Sequence, residues 1–275
     1  MLERFRYTNS FNETLEFGKD CLFVNENDLR DFAWEITTKN NKISGFKKGI
    51  VSKTIPVILK CNSEEDGVHL RNRMFEVFEK DVLTEQHGKI QIGDYYLRCF
   101  ITGSQKTQYL INKNYMVVSL TVQTDLPEWI KETTTSYSLY VESSERYLDF
   151  SFDYPHDFKN GVAFTSVENT GIVASNFIIT IFGEVVNPIL YIDGHKYAVD
   201  VTVGTSERLV IDSINKTITL FNNRTNEQVN CFNNRHKDSY IFEKIPVGSH
   251  MITSSNAQLF FDFTLLEERS EPKWT

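Results

Sequence analysis

The stretch Phe177-Ile-Ile-Thr-Ile-Phe-Gly183 indicates the fold class of the second half of this chain. Its apolar residues occupy both alternating positions, which predicts a strand covered on both faces in the middle of a sheet. From Leu139 onward, short candidate strands recur about every 8–12 residues between turn signals, a spacing typical of a β-sandwich or barrel. No long segment of helical periodicity interrupts them.

The first half is also predicted to be mostly β-structure. The alternating segment Thr54-Ile-Pro-Val-Ile-Leu59 predicts a strand, and Pro56 places it at a sheet edge because proline cannot donate to a ladder. Two further strands, 89–92 and 95–101, flank Gly93-Asp94, which predicts a hairpin with a glycine-first turn. Residues 116–122 alternate as a further strand.

One helix is predicted in this half. Ser63-Glu64-Glu65-Asp66 resembles a capping box with acidic residues in the first turn, which favours a helix beginning there. The residues predicted to form its apolar face, which recur at helical spacing, are Leu70, Met74, Val77 and Phe78, widened by Phe75 and Val82. Met74 and both phenylalanines are predicted to lie in the core.

The strand near Ile55 suggests a surface for self-association. An edge strand has unpaired backbone groups that a neighbouring copy could complete. Lys47, Lys48 and Lys53 surround Gly49, which predicts an exposed loop beside that strand. The predicted oligomer-interface residues are Lys47, Lys48, Thr54, Ile55 and Pro56.

A polar run at residues 131–138 predicts the boundary between two domains, 1–132 and 133–275. Because this run has few apolar anchors, it is expected to be the most protease-sensitive internal segment. Pro127 and Trp129, where the first domain closes, are expected at the domain junction.

Charge and cysteine usage narrow the function classes. Residues 1–132 contain 18 Lys and Arg against 19 Asp and Glu, and residues 133–275 contain 11 against 18, so the two halves carry net charges of −1 and −7. Such balances disfavour binding to a phosphate backbone. The four cysteines are far apart and predict reduced core thiols, as in a cytoplasm. The charged start predicts no signal peptide, and no apolar run approaches the ~20 residues of a membrane span.

The sequence predicts no catalytic residue, cofactor site or metal site. It contains no glycine-rich phosphate loop, nucleophile elbow or H-E-x-x-H motif. The six histidines are isolated in sequence, which favours surface or core roles for them. The nearest approach to a metal cluster is the set Asp149, Asp153, His156 and Asp157, but its spacing does not match a calcium loop.

Several motifs follow one another in a characteristic order. In the first half they are the strand 54–59, the helix 64–80, and Gly93-Asp-Tyr-Tyr-Leu97 leading to Leu126-Pro-Glu-Trp129. In the second half they are Asn169-x-Gly171, Asn187-Pro-Ile189, the 209–220 hairpin and Ile245-Pro-x-Gly248. In this order the motifs resemble the distal tail proteins of bacteriophages with long, non-contractile tails, and the resemblance covers nearly the whole chain.

The resemblance implies a mostly β protein with one helix, composed of a ring-forming, β-sandwich-like N-terminal (belt) domain and a galectin-like C-terminal β-sandwich. It further implies a non-enzymatic component of the virion tail tip, made in the host bacterial cytoplasm, which forms a hexameric ring, single or stacked. The implied partners are the tail tube protein, the tape measure protein, a tail-associated fibre or lysin and receptor-binding proteins, with a channel left for DNA. No sequence-specific nucleic acid or membrane partner is implied.

The alternative is a carbohydrate-binding adhesion module that contacts the host cell wall. True galectins use a set of His, Asn, Arg and Trp on one sheet. Here Asn222-Asn-Arg224 and Asn233-Asn-Arg235 lie in turn-like segments and no Trp occupies a nearby strand, so "galectin-like" describes the sandwich and implies no lectin activity.

Overall fold

The chain is mostly β-structure, as predicted, and divides into two compact units. Its structure, a computed structural model, describes residues 4–19, 21–24, 26–109, 113–140, 165–256 and 258–274. Unit 1 comprises Met1–Lys131 and Arg269–Thr275, and unit 2 comprises Glu132–Glu268. The boundary predicted from the sequence places the last seven residues in the second domain. They group with unit 1 because Arg30 and Lys48 hold them there.

The described residues of unit 1 form nine complete strands, the start of a tenth and one helix. In chain order they are β1 (Phe5–Thr8), β2 (Thr14–Phe17), β3 (Leu22–Val24), β4 (Glu35–Lys39), β5 (Lys42–Lys47), β6 (Val51–Lys60), α1 (Glu64–Thr84), β7 (Gly88–Ile92), β8 (Tyr95–Tyr109), β9 (Tyr115–Thr124) and β10 (Trp129–Tyr140), the last of which continues into unit 2.

Two sheets enclose the core of unit 1, and β8 belongs to both. One sheet has the order β10-β8-β7-β1-β2 and the other β3-β6-β9-β8. The first residues of β8 pair with β7 across the predicted Gly93 turn (φ +57°), whereas the residues from Phe100 onward pair with β9. The β8–β9 register shifts near Gly103, and bulges of this kind bend a strand, which lets β8 pass from one sheet to the other.

Helix α1 begins where the capping signal predicted. Ser63 is the N-cap, and its hydroxyl accepts a hydrogen bond from the Asp66 backbone N–H at 3.1 Å. Met74, Val77 and Phe78 are buried in the core, as predicted. The prediction for Phe75 and Val82 was wrong, because they are 57 % and 40 % exposed. Each residue turns a helix by about 100°, so Phe75 points well away from Met74, and only one narrow face meets the sheet.

A buried carboxylate joins the end of α1 to the first strand. Asp81 is fully buried and accepts hydrogen bonds from Tyr7 Oη at 2.5 Å, Ser10 N at 2.8 Å and Ser10 Oγ at 2.6 Å. Burial, together with this hydrogen bond to a carboxylate, raises the pKa of Tyr7 well above its ordinary value, so Tyr7 remains a donor. A Cβ at Gly88 would collide with Tyr7 Oη and the Asp81 carboxylate, which explains the glycine at the start of β7.

Two predictions about the segment around Gly49 need correction. Lys48 and Lys53 were expected in an exposed loop, but both side chains are buried. Lys53 lies on β6 and donates to the backbone carbonyls of Asp28 and Asp31 at 2.8 and 2.5 Å, where burial lowers its pKa. A lysine side chain is long enough to pass through the interior and reach these two carbonyls.

The edge character predicted for β6 applies to its first half. On one side β9 pairs with β6 along its whole length, and on the other side β3 covers residues 57–59. Among the described residues no strand pairs with residues 51–56 on that second side, although the Asp28 carboxylate accepts the Thr54 N–H at 2.7 Å. Ile55 itself is fully buried, whereas Thr54 is exposed.

Unit 2 is built from short strands, as the spacing predicted. They are β11 (Thr165–Asn169), β12 (Asn176–Phe182), β13 (Val185–Val186), β14 (Ile189–Ile192), β15 (His195–Ala198), β16 (Thr202–Val203), β17 (Glu207–Asp212), β18 (Thr217–Asn222), β19 (Gln228–Asn230), β20 (Gly248–Ser254) and β21 (Gln258–Arg269), with a 3-10 turn at Phe232–Asn234.

The core of unit 2 lies between two antiparallel sheets. In one sheet β12 pairs with β17 on one side and β21 on the other, which confirms the predicted central strand. The other sheet has the order β11-β20-β14-β15. Phe177 and Phe263 from the first sheet and Leu190 and Ile252 from the second belong to one buried cluster.

The polar run 131–138 is part of a strand. It lies within β10, where Thr134 Oγ1 is 2.8 Å from Thr264 Oγ1 and Ser136 Oγ donates to Asp262 at 2.6 Å. The units divide within this run, between residues 131 and 132. The expectation of a protease-sensitive linker is therefore not supported, because strand residues held by such hydrogen bonds are poor protease substrates.

Replacing Tyr7 with Phe should lower the free energy of unfolding by about 1.5–3 kcal/mol, because a buried carboxylate loses a donor. Urea unfolding followed by circular dichroism measures this change. The matched control is Tyr115→Phe in the same unit, a half-buried tyrosine whose hydroxyl makes no hydrogen bond to the described residues, which should change stability by less than about 0.5 kcal/mol. Equal effects of the two substitutions would contradict the role assigned to Asp81.

Trp129 is 1 % exposed and belongs to the core of unit 1, with Leu97 opposite it on β8. Trp129→Ala should therefore cost about 3–5 kcal/mol of stability. Trp274→Ala is the control, since that ring is 74 % exposed and should cost under about 1 kcal/mol. The relation of Pro127 and Trp129 to the domain junction stays a prediction.

Candidate assembly surface

An apolar hairpin extends from unit 1 and packs mainly on itself. Strands β4 and β5 pair with each other in a separate two-stranded sheet. Asn40 (φ +52°) and Asn41 (φ +57°) connect them, as a two-residue turn with two left-handed residues requires. Isolated hairpins are marginally stable in water, so this one needs other support.

The apolar side chains of this hairpin lie on one face. Ile36 is paired with Phe46, and directly paired residues point to the same side of a sheet. Thr38 is paired with Ile43, because the register shift between Thr37 and Thr38 places Ser44 in a bulge. The bulge thus brings Ile43 to the same face as Phe46 despite their odd spacing.

This face is open to solvent. Ile36, Ile43 and Phe46 are 57 %, 60 % and 61 % exposed, and Trp34, 48 % exposed, makes an edge contact with Phe46 at 6.5 Å between ring centroids. We call Trp34, Ile36, Ile43 and Phe46 the hairpin face. Contiguous exposed apolar groups on a protein surface mark an interaction site.

The base of the hairpin is anchored by Lys48. Its ammonium donates to Glu128 at 2.9 Å and to Ser270 Oγ at 2.7 Å, and lies 4.4 Å from the centre of the Trp34 ring. The Lys48 side chain is only 6 % exposed, so the charge is held in place by these partners. Arg30 similarly donates to the Pro272 carbonyl at 3.2 Å and stacks on Trp274. The hairpin therefore leaves unit 1 from a fixed base.

The five predicted interface residues fall in two places. Lys47 is on the hairpin, exposed and paired with Glu35 at 3.1 Å, and Lys48 is at its base. Thr54, Ile55 and Pro56 lie on β6. Sequence reasoning missed the hairpin face itself. The available signal was Asn40-Asn41 between two short segments with alternating apolar residues, which is a hairpin signature.

Unit 2 contains a second candidate surface, an open polar cavity of about 550 Å³ lined by Asp200 and residues 233–238. His236 Nε2 is 2.7 Å from Asp200 Oδ1, and its Nδ1 is 2.8 Å from Lys196 Nζ. Because an ammonium group only donates, His236 accepts at Nδ1 and carries its proton at Nε2. Lys196 also donates to Asp238 at 3.0 Å. Residues far apart in sequence thus form one hydrogen-bonded cluster.

The cluster can contact polar ligands through its accessible carboxylates. The carboxylates of Asp200 and Asp238 are 60 % and 62 % exposed and keep acceptor capacity for hydroxyl groups. Within the described ranges, no group of three or more His, Cys, Asp or Glu side chains could hold a metal ion. Asp149, Asp153, His156 and Asp157 lie outside the described residues. Nor is any described helix long and apolar enough to span a membrane.

Titration can test the link between Lys196 and Asp238. The hydrogen bond from Lys196 lowers the pKa of Asp238 below its ordinary value of 3.8. A carboxyl group whose pKa is lowered by folding stabilises the fold above its unfolded pKa, and this contribution is lost as the pH falls through the lowered value. Carboxyl carbon NMR should show Asp238 titrating below 3.8 and returning towards that value in Lys196→Met. An unchanged midpoint in that variant would contradict the assignment.

Comparison with known proteins gives a match in three dimensions. No family model matches the sequence, and no curated protein matches it either. Among solved structures, the chain is similar to the SPP1 Dit protein, described as a paradigm of the hub adsorption apparatus in phages that infect Gram-positive bacteria. The TM-score is 0.59 and the identity 11 %, with 96 % of this chain and 99 % of that chain covered.

Two structures of the phage P2 baseplate in its activated conformation are also similar. The chain in the calcium form gives a TM-score of 0.64 at 12 % identity, covering 99 % of this chain and 100 % of that chain, and the strontium form gives 0.63 at 11 %, covering 98 % and 99 %. Over nearly its whole length, the chain therefore has the fold shared by the SPP1 Dit protein and a chain of the phage P2 baseplate.

Proposed function

We propose that this protein is a structural component of the tail tip of a long-tailed bacteriophage, that it forms a hexameric ring, and that it catalyses no reaction. The likeness to SPP1 Dit over 96 % of the chain carries the proposal, because both units are matched together. The ring would join the tail tube to a tail-associated fibre or lysin and to receptor-binding proteins, and its channel would admit the tape measure protein and later DNA.

The hairpin face supports self-association through unit 1. Its exposed apolar groups would be removed from water by a neighbouring copy, and this burial favours association. When the surface with which one copy docks differs from the surface on its neighbour that receives it, the contact is head-to-tail. Head-to-tail contacts build a ring when the rotation that relates successive copies closes on itself. The first half of β6, where no described strand pairs on one side and Thr54 is exposed, remains a proposed part of the same interface.

The charge of the chain is compatible with a passage for DNA. The first half carries nearly equal numbers of positive and negative residues, and the second half is acidic. A channel lining of this kind would bind phosphate groups weakly, which lets DNA pass without being held. In the proposed assembly unit 2 is a galectin-like sandwich that faces the other tail-tip proteins.

The alternative function, a carbohydrate-binding adhesion module, is favoured by the polar cavity at Asp200 and His236. Retention of the chain on purified cell wall polymer, lost in Asp200→Ala or Asn233→Ala, would support it. If the chain forms a ring and is not retained on cell wall polymer, the structural role is favoured over adhesion.

The assembly proposal predicts that the full chain elutes at six times its monomer mass of 32.0 kDa in light scattering, with rings visible by negative stain. Ile43→Asp with Phe46→Asp should abolish the oligomer and leave the thermal unfolding temperature nearly unchanged, since both side chains are exposed. Ile172→Asp is the matched control, because Ile172 is 81 % exposed in unit 2. A wild-type chain that stays monomeric at high concentration would contradict the proposal.

A further inference from the structure

Cys21 and Cys61, which are far apart in the sequence, lie side by side at the end of β6. The Cys21 carbonyl accepts a hydrogen bond from the Lys60 backbone N–H at 2.9 Å, so Cys21 extends the pairing of β3 with β6 by one residue and lies opposite Lys60. With strands about 4.8 Å apart and a rise of about 3.3 Å per residue, the Cα atoms of Cys21 and Cys61 are about 6 Å apart. Disulfide bonds usually join Cα atoms separated by about 4.4–6.8 Å.

Both side chains face the core of unit 1. Alternate residues of β6 from 53 to 59 are buried, and Cys61, 6 % exposed, continues this alternation. In an extended conformation Cys21 would share the exposed face of Lys60. Its φ of +77° turns the side chain from that face, and it packs against the core cluster that includes Cys61. The Cys61 thiol donates a weak hydrogen bond to the Cys21 sulfur, so the two thiols are in contact.

Oxidation is the chemistry that this pair of thiols supports. Zinc and similar ions take three or four protein ligands, and no group of three or more His, Cys, Asp or Glu side chains in the described ranges could hold a metal ion. A disulfide needs only the two sulfurs and a route for the oxidant. Cys21 is partly exposed, whereas Cys61, Cys99 and Cys231 are buried, so an oxidant enters at Cys21.

We propose that Cys21 and Cys61 form a disulfide bond when the folded chain meets a small-molecule disulfide such as oxidised glutathione, and that this bond fastens β3 to the end of β6. The Cys21 thiolate attacks one sulfur of the small disulfide and displaces the first thiol. Cys61 then loses its proton, attacks the Cys21 sulfur of the mixed disulfide and displaces the second thiol. Two electrons thus pass from the two protein thiols to the small disulfide, which leaves as two thiols.

The surroundings of the two thiols set the order of these steps. Burial, with the contact to Cys21, raises the pKa of Cys61 well above its ordinary value, so Cys61 is protonated at neutral pH and does not begin the reaction. It reacts in the second step because the mixed disulfide places its target sulfur directly beside it. Cys21 therefore takes up glutathione, and Cys61 resolves the mixed disulfide.

The bond would strengthen a short attachment. β3 pairs with β6 only through residues 22–24 opposite residues 57–59. A bond from Cys21 to Cys61 would close a loop of residues 22–60, which contains β3, the hairpin of β4 and β5, and β6. Closing a loop of this length restricts the unfolded chain and stabilises the folded one.

The proposed function gives the bond a place in the life of the protein. A tail-tip protein is made in a cytoplasm that keeps thiols reduced, and the released virion meets oxidising surroundings. The chain would assemble with free thiols and acquire the cross-link afterwards. The pairing itself involves unit 1 alone, so its failure and the failure of the proposed ring are separate results.

Peptide mapping of the full chain tests the pairing. The folded protein is incubated with oxidised glutathione, its remaining thiols are blocked in denaturant, and it is digested with trypsin without reduction. Cleavage after Lys and Arg releases Cys21 in residues 20–30 and Cys61 in residues 61–71, and these two peptides are expected to be joined. Free thiols should fall from the four of the sequence to two. A folded chain that keeps all its thiols, or joins Cys21 to another cysteine, would overturn the pairing.

Intact mass of three variants tests the order of the steps. In Cys61→Ala, one glutathione should remain on Cys21, because no second thiol displaces it. In Cys21→Ser, the folded chain should take up no glutathione. Cys231→Ser is the matched control and should form the same disulfide as the wild type, because Cys231 lies in unit 2. A wild-type chain that keeps glutathione as long as Cys61→Ala does would show that Cys61 does not reach Cys21 and would overturn the proposal.

Thermal unfolding tests the fastening of β3. The three tryptophans, Trp34, Trp129 and Trp274, all belong to unit 1, so their fluorescence follows the unfolding of this unit within the full chain. The oxidised wild type should unfold at least about 5 °C above the reduced wild type. Cys61→Ala should unfold at the same temperature with and without oxidant. A mapped disulfide that leaves the unfolding temperature unchanged would overturn the fastening role.

Discussion

The architecture of unit 1 depends on one buried charge, the Asp81 carboxylate. It lies near the end of α1 and accepts hydrogen bonds from Tyr7 and Ser10 on the first hairpin. A buried carboxylate is tolerated only where several donors satisfy it. This requirement fixes the helix against β1. It also requires a glycine at residue 88 on β7, because a side chain there would collide with the Tyr7 hydroxyl and the Asp81 carboxylate.

Seating the helix determines which of its surfaces remain free. Met74, Val77 and Phe78 face the sheets, so Val68, Phe75 and Val82 are left outside. The hairpin of β4 and β5 shows the same feature, a fixed base at Lys48 and an open apolar face. Both elements expose apolar groups that a monomer would normally bury, and their positions are held by polar contacts in the interior. Exposed apolar groups of this kind are typical of interaction sites.

Unit 2 is organised differently. Its two sheets bury their apolar faces against each other, and its candidate surface is a cluster of charged and polar groups around His236. Hydrogen bonds within the cluster hold Asp200, Lys196 and Asp238 in fixed positions, while the two carboxylates remain accessible. The candidate surface of unit 1 is therefore apolar and that of unit 2 is polar, which suits the proposed division between ring formation and binding of other tail-tip components.

Local sequence patterns determined much of the fold. Alternation identified β6 and β9, a continuous apolar run identified the central strand β12, the Gly93 turn identified the hairpin of β7 and β8, and the Ser63 capping signal located the start of the helix. All of these features depend on neighbours in sequence. The tertiary structure alone decided which side of the helix is buried, why Lys48 and Lys53 are interior, and that residues 269–275 join unit 1. It also decided the candidate surfaces, since the bulge at Ser44 aligns Ile43 with Phe46 and long-range pairing brings Lys196 to His236. The reason is that burial and hydrogen bonding are shared between residues distant in the chain, and periodicity records only that a side chain is apolar, not what covers it.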